Sequence, residues 1–114
     1  MRRHTLIGER IINDAPALAP VGALVRSSHE RYDGGGYPDG LAAEEIPLGS
    51  RIVAVCDEFD AMTTDRSYRS AMSADDALAE LHACAGGQFD PIVVDAFAAA
   101  WGQHRADRLT AAAA

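Results

Sequence analysis

A few side chains in this sequence are of types that could hold a metal or a phosphate. They are His4, the neighbours His29 and Glu30, the carboxylates Asp57 and Asp60, and the arginines Arg66 and Arg69. Neutral imidazole and carboxylate together suit borderline metals such as iron, manganese or zinc. Asp57 sits in an apolar run beside Val55, Cys56 and Phe59, where an unpaired carboxylate would be costly. Asp57 and Asp60 are three residues apart, so on a helix they project from neighbouring points of one face. Such a pair is tolerated when something neutralises it: a cation on one reading, Arg51 or Arg66 on the other. His4 and His29, each taken alone, are as readily surface or capping residues as ligands. Arg66 and Arg69 could clamp a phosphodiester with their guanidinium groups, or serve as plain helix-end charges. Between His29 and Asp57 runs Gly34-Gly35-Gly36-Tyr37-Pro38. Backbone N–H groups in such a run can face an anion, although glycine runs also make ordinary solvated turns.

Helices are the elements that would position these groups. Leu6, Ile7, Ile11 and Ile12 are spaced for one helix face, with a stop at Pro16. Leu18, Val21, Leu24 and Val25 mark a second helix running to about His29 or Glu30. From Asp33 to Pro47, the glycines at 34–36 and 40 and the prolines at 38 and 47 forbid a helix or a central strand. A loop that long inside a compact domain is often functional. After Pro47, Ile52, Val55, Cys56, Phe59 and Met62 fall at helical spacing and form the most apolar helix. Ser73 is the expected N-cap of a helix over "ADDALAELHACA", with Asp76 in its first turn and Gly86-Gly87 as its stop. Asp90 caps a last helix that starts at Pro91. The fold class is all-α.

Composition limits the function classes. The 114 residues make one domain with a modest core. Hydrophobic residues make up 48%, but many are alanine and aromatics are only 6%, so the core is expected to be thin. A net charge of −7 repels a phosphate backbone and argues against duplex nucleic acid as a partner. Cys56 and Cys84 lack metal-type spacing and read as reduced core thiols of a cytoplasmic protein. No apolar run is long enough for a membrane span, and "MRRHTLIGER" is too polar for a signal peptide.

The segments "HERYDGGGYPDGLAAEEIP", "GSRIVAVCDEFDAMTTDRSYR" and "GGQFDP", in that order, resemble the HD-GYP phosphohydrolases. The GYP of that name matches Gly36-Tyr37-Pro38. The resemblance runs from about His4 to Phe97. It implies an all-helical, metal-dependent fold that hydrolyses the bacterial messenger cyclic di-GMP, with iron or manganese as the common metals. Water activated by the metals would attack phosphorus while the metals stabilise the charge developing on oxygen. Carried over by resemblance, the metal ligands are His4, His29 and Asp57. Tyr37, Arg66 and Arg69 match positions that contact substrate phosphate, and Asp60 has a supporting role.

The sequence departs from the family pattern in two places. Ser28 stands where the family has a second histidine, and a serine hydroxyl is a poor ligand for these metals. The His-Asp pair of the family name is absent, since no histidine here precedes an aspartate. The expectation is a partial HD-domain-like helical bundle with a long Gly/Pro-rich loop. Residues 1–105 would be the C-terminal part of an HD-GYP-like domain, and residues 106–114 a disordered Ala-rich tail. No residue is assigned as catalytic. The resemblance implies a cyclic dinucleotide as partner and a divalent transition metal as cofactor, with a chain that binds no metal as the alternative. Phosphodiester hydrolysis is then the lineage activity, weak or lost in this chain. The competing reading is a non-catalytic module that binds a nucleotide or a signalling partner. Helix faces left uncovered would favour a homo-oligomer or contact with an upstream regulatory domain.

Overall fold

A computed structural model describes residues 2–14, 17 and 19–113, and the side chains of all of these except Arg2, His4, Asn13, Ala19 and Ala113. Five α-helices follow one another: α1 (Arg2–Asn13), α2 (Ala19–Arg26), α3 (Leu48–Thr63), α4 (Ala74–Ala83) and α5 (Pro91–Ala113). A 3-10 turn at Ala43–Glu45 interrupts the long loop between α2 and α3. Among the described residues there is no β-strand, and no helix is long and apolar enough to cross a membrane. The expected all-α class therefore holds.

The main core lies between α3, α4 and α5. Val55, Phe59 and Met62 of α3 bury against Ala77 and Leu81 of α4 and against Val93 and Val94 of α5, with Phe89 closing one end. Spacings of four and three put these α3 residues on one stripe. An aromatic cluster extends the core along α5, with Phe59 centred 4.9 Å from Phe97 and 5.0 Å from Trp101.

Helices α1 and α2 pair with each other and meet the rest chiefly where α2 touches the start of α3. There Ser50 Oγ donates to the Leu24 carbonyl at 2.9 Å. A Cβ at Gly49 would come within 2.9 Å of a Leu24 methyl, so the two helices approach closely here. The apolar stripe expected on α1 is largely unburied, with Ile7 52% and Ile11 66% exposed. The radius of gyration, 16.0 Å, exceeds the roughly 13 Å of a compact domain this long. The long α5 accounts for part of the excess.

The capping expectations after Ser73 hold. Ser73 accepts the Asp76 N–H at the start of α4, and Asp90 Oδ1 accepts the Ile92 N–H at the start of α5 at 2.8 Å. Four expectations need correction. Helix α2 ends at Arg26 rather than near His29, because Ser27 and Ser28 turn the chain. The Ser28 hydroxyl donates to the Val25 carbonyl at 2.8 Å, a local bond that competes with the helix. Ile52 and Cys56 are exposed, since they fall off the Val55–Phe59–Met62 stripe. Cys56 is therefore no core thiol, and Cys84 is only half-buried; both are free. The Ala-rich segment from residue 106 is helical to Ala113, in keeping with alanine's high helix propensity. Bonds from Gln103 to Asp107 and from Thr110 to the Ala106 carbonyl support that last stretch. The stop expected at Pro16 and the face residue Leu18 lie outside the described residues.

Candidate functional site

A groove of about 450 Å³ opens between the end of α2 and the outer face of α3. Ser28, His29 and Arg31 line one side, and Asp57, Glu58 and Asp60 line the other. Arg66, beyond the end of α3, also lines the groove, as do Glu30, Gln88 and Phe89. His29, Asp57, Asp60 and Arg66 are far apart in sequence, and the fold brings them to one surface. Asp57 and Asp60 are exposed, which corrects the expectation of a carboxylate in apolar surroundings. A step of two residues from Val55 turns Asp57 about 200° around the helix, away from the core stripe. Water solvates these charges, so no buried neutralising partner is required.

Arg51, offered above as one such partner, is engaged elsewhere. It forms an ion pair with Asp90 at 2.6 Å and donates Nε to the Ile46 carbonyl at 2.9 Å. Burial pushes the Asp90 carboxyl up, but hydrogen bonds from Arg51 and from the Ile92 and Val93 N–H groups outweigh it, so Asp90 titrates below the usual range.

Tyr37 and Arg69 do not line the groove. The Tyr37 ring stacks on the His29 imidazole beside it, with centroids 5.3 Å apart and planes inclined at 20°. Arg69 pairs backbone to backbone with Arg66 across a tight turn and gives its guanidinium to the Ala61 carbonyl at 2.9 Å. The turn aims the two arginines differently, Arg66 into the groove and Arg69 back onto α3. His4 belongs to α1, but its side chain lies outside the described residues.

The Gly36-Tyr37-Pro38 loop is built by its own backbone and by carboxylates. The Tyr37–Pro38 peptide is cis. A Cβ at Gly36 would meet the His29 carbonyl oxygen at 2.5 Å, so this glycine is required by the close approach of two backbone segments. Asp33 takes the Gly35 N–H at 2.9 Å. The Arg31 guanidinium, followed by that N–H, holds the Asp33 carboxyl below its usual range. The loop also leans on the Gly86–Phe89 turn, where Tyr32 and Asp33 donate to the Gln88 and Gly87 carbonyls. Sequence reasoning gave no loop-building role to three of the residues that build this site. Glu30 is 6% exposed and accepts three loop N–H groups. Arg26 ties the loop to both helices of the first pair. Gln88 lines the groove. Glu30 adjoins His29 in sequence, and that adjacency was the available signal.

Among the described residues, no three His, Cys, Asp or Glu side chains stand together to hold a metal ion. Ser28 offers only a neutral hydroxyl, a poor ligand for these metals, and its proton is donated to the Val25 carbonyl. The donors among the described side chains do not fit a multinuclear centre.

The HD domain family profile matches residues 1–93. The chain belongs to the HD domain family. It is 51% identical over 98 residues to the cyclic di-GMP phosphodiesterase response regulator RpfG of Xanthomonas campestris, covering 84% of this chain and 26% of that protein. It is 41% identical over 99 residues to a cyclic di-GMP phosphodiesterase of Thermotoga maritima, covering 85% of this chain and 27% of that one. A solved cyclic GMP-AMP-specific phosphodiesterase of Vibrio cholerae superposes with a TM-score of 0.59 at 32% identity, covering 68% of this chain and 17% of that one. These relatives agree with the HD-GYP resemblance. The chain spans about a quarter of the length of the first two.

Proposed function

We propose that the groove is the phosphate-facing part of a cyclic dinucleotide site, and that the chain's lineage chemistry is phosphodiester hydrolysis. Convergence of Arg66, His29 and Asp57 on one open groove beside the Gly36-Tyr37-Pro38 loop is the observation that supports it. Arg66 supplies charge and directed N–H donors for a phosphate oxygen. His29 and Asp57 supply an imidazole and a carboxylate, a pair able to share one divalent cation. Cyclic di-GMP is the preferred ligand on this reading, because the two relatives at 51% and 41% identity are named for it. The reading also implies a cytoplasmic chain. With a poor hydroxyl ligand at Ser28 and few donors gathered among the described residues, the 114-residue chain is proposed to bind the diester with little or no turnover.

The test is calorimetry on the full chain with cyclic di-GMP and 3′3′-cGAMP, with and without Mn²⁺, alongside chromatography for linear products and elemental analysis. Cyclic di-GMP should bind more tightly, with fewer than two metal equivalents and no more than a trace of product. Arg66→Ala should weaken binding by about tenfold, the worth of one charge-assisted pair. Arg69→Ala should cost less, because its guanidinium is turned onto Ala61. Unchanged affinity in Arg66→Ala would overturn the groove assignment. Two or three bound metals together with rapid turnover would overturn the reading of a weak enzyme.

A further inference from the structure

The loop that carries Tyr37 is gripped at Asp39 from two sides. Glu30 Oε2 accepts the Asp39 N–H at 3.0 Å, and Glu30 Oε1 accepts the N–H groups of Gly40 at 2.8 Å and Leu41 at 3.1 Å. From the other side Arg26 donates Nε and an Nη to the Asp39 carboxylate, both at 2.9 Å, and its second Nη to Glu9 of α1 at 3.0 Å. Asp39 first, then Glu9, hold the Arg26 guanidinium charged well beyond its ordinary range. Arg26 and Asp39 are more than a third exposed, so that bridge is the weaker anchor. Glu30 is the stronger one, being buried and bound by three directed N–H groups.

We propose that Glu30, assisted by Arg26, is the positioning residue of this loop: it fixes Tyr37 against His29 and so presets the groove wall before any ligand arrives. Residues 38–42 form no regular element, and the backbone N–H groups of Asp39, Gly40, Leu41 and Ala42 all go to carboxylates, the first three to Glu30 and the last to Glu45. A loop ordered in advance does not charge its ordering entropy to binding. Glutamine at position 30 would turn an amide NH₂ toward backbone donors, losing at least one of the three bonds. The consequence for ligand affinity rests on the cyclic dinucleotide reading above; the consequence for loop geometry does not.

Full-length Glu30→Gln, compared with wild type by NMR and by calorimetry with cyclic di-GMP, tests the role. Amide exchange at Asp39, Gly40 and Leu41 should speed up by about tenfold, while the amides of α3 and α5 stay protected. The His29 ring-proton shifts, set by the stacked Tyr37, should move toward those of Tyr37→Leu. Affinity for cyclic di-GMP should fall by about tenfold. Unchanged exchange and unchanged His29 shifts would overturn the role. Affinity that holds while the His29 shifts move would overturn the link between loop order and binding. Should Glu30→Gln fail to fold, Glu30→Asp, one methylene short, carries the same readouts, and a wild-type-like His29 in that variant overturns the role. Wild type that binds no cyclic dinucleotide would sink the functional reading alone, and exchange and ring shifts would still decide the role of Glu30.

Discussion

Arg51→Met tests the joint on which the groove is mounted. Arg51 ties three elements: it belongs to α3, pairs with the Asp90 cap of α5 at 2.6 Å, and holds the Ile46 carbonyl at the end of the long loop. The Asp90 side chain is 4% exposed and that of Arg51 is 15% exposed, so this pair is shielded from water. Removing one partner of a buried ion pair costs about 3–5 kcal/mol, because the other charge is left uncompensated. Asp90 keeps the Ile92 N–H, which places the expected loss at the low end, about 3 kcal/mol. Methionine retains the apolar stem, so little packing is lost. At about 4 °C per kcal/mol for a domain of this size, the melting temperature should fall by roughly 12 °C. The sign of the pH dependence follows from Asp90. Its folded carboxyl titrates below the ordinary value in wild type, so its contribution is present above about pH 3.9 and is lost as pH falls through the folded value. In Arg51→Met the upward push of burial is less opposed and the charged carboxylate becomes a burden that acid relieves. The deficit of the variant should therefore shrink from pH 7 to pH 3.5. Urea denaturation at both values measures it. A variant within about 0.5 kcal/mol of wild type at pH 7, or a deficit equal at both pH values, would refute the reasoning.

Other substitutions separate the core from the site. Leu81→Ala, at a fully buried position, should cost about 2–5 kcal/mol in urea denaturation. Asp57→Asn should leave stability within about 0.5 kcal/mol, since Asp57 is exposed, while lowering any bound metal in elemental analysis. Gly36→Ala forces two backbone segments apart at His29, so it should cost about 1–3 kcal/mol and displace the His29 ring signals.

Local chemistry was legible in the sequence where it acts alone. Ser73 and Asp90 cap their helices because a short polar side chain meets free N–H groups within three residues, whatever the rest of the chain does. The apolar stripe of α3 was legible at Val55, Phe59 and Met62, and misleading at Ile52 and Cys56. Those five fit a helix face broadly, but which part of that face is covered depends on where α4 and α5 pack, and spacing does not carry that. Asp57 failed for the same reason: apolar neighbours in sequence are not apolar neighbours in space. Glu30 was hidden because its partners are backbone N–H groups, which every residue but proline offers. Arg51 was weighed as a partner for Asp57 and chose Asp90, a contact across 39 residues that only the packed fold reveals.

The exposure of the groove gives the anchors their importance. Asp57, Asp60 and Arg66 face water, where a charge pair at 4 Å is worth only about 1 kcal/mol. Adding another surface charge would therefore do little for a bound diester. An open site can gain affinity by having its directed groups in place beforehand, since strong fields need a dry interior that this groove does not provide. Buried Glu30, whose carboxylate is taken up by three loop N–H groups, is then worth more to the site than another exposed arginine at its rim. A donor as well placed as Arg66 depends equally on its turn, where the reciprocal bonds with Arg69 and the Asp65 bond to the Ala71 N–H hold the backbone. In such a site the side chains that fix the backbone decide what the exposed ones can hold.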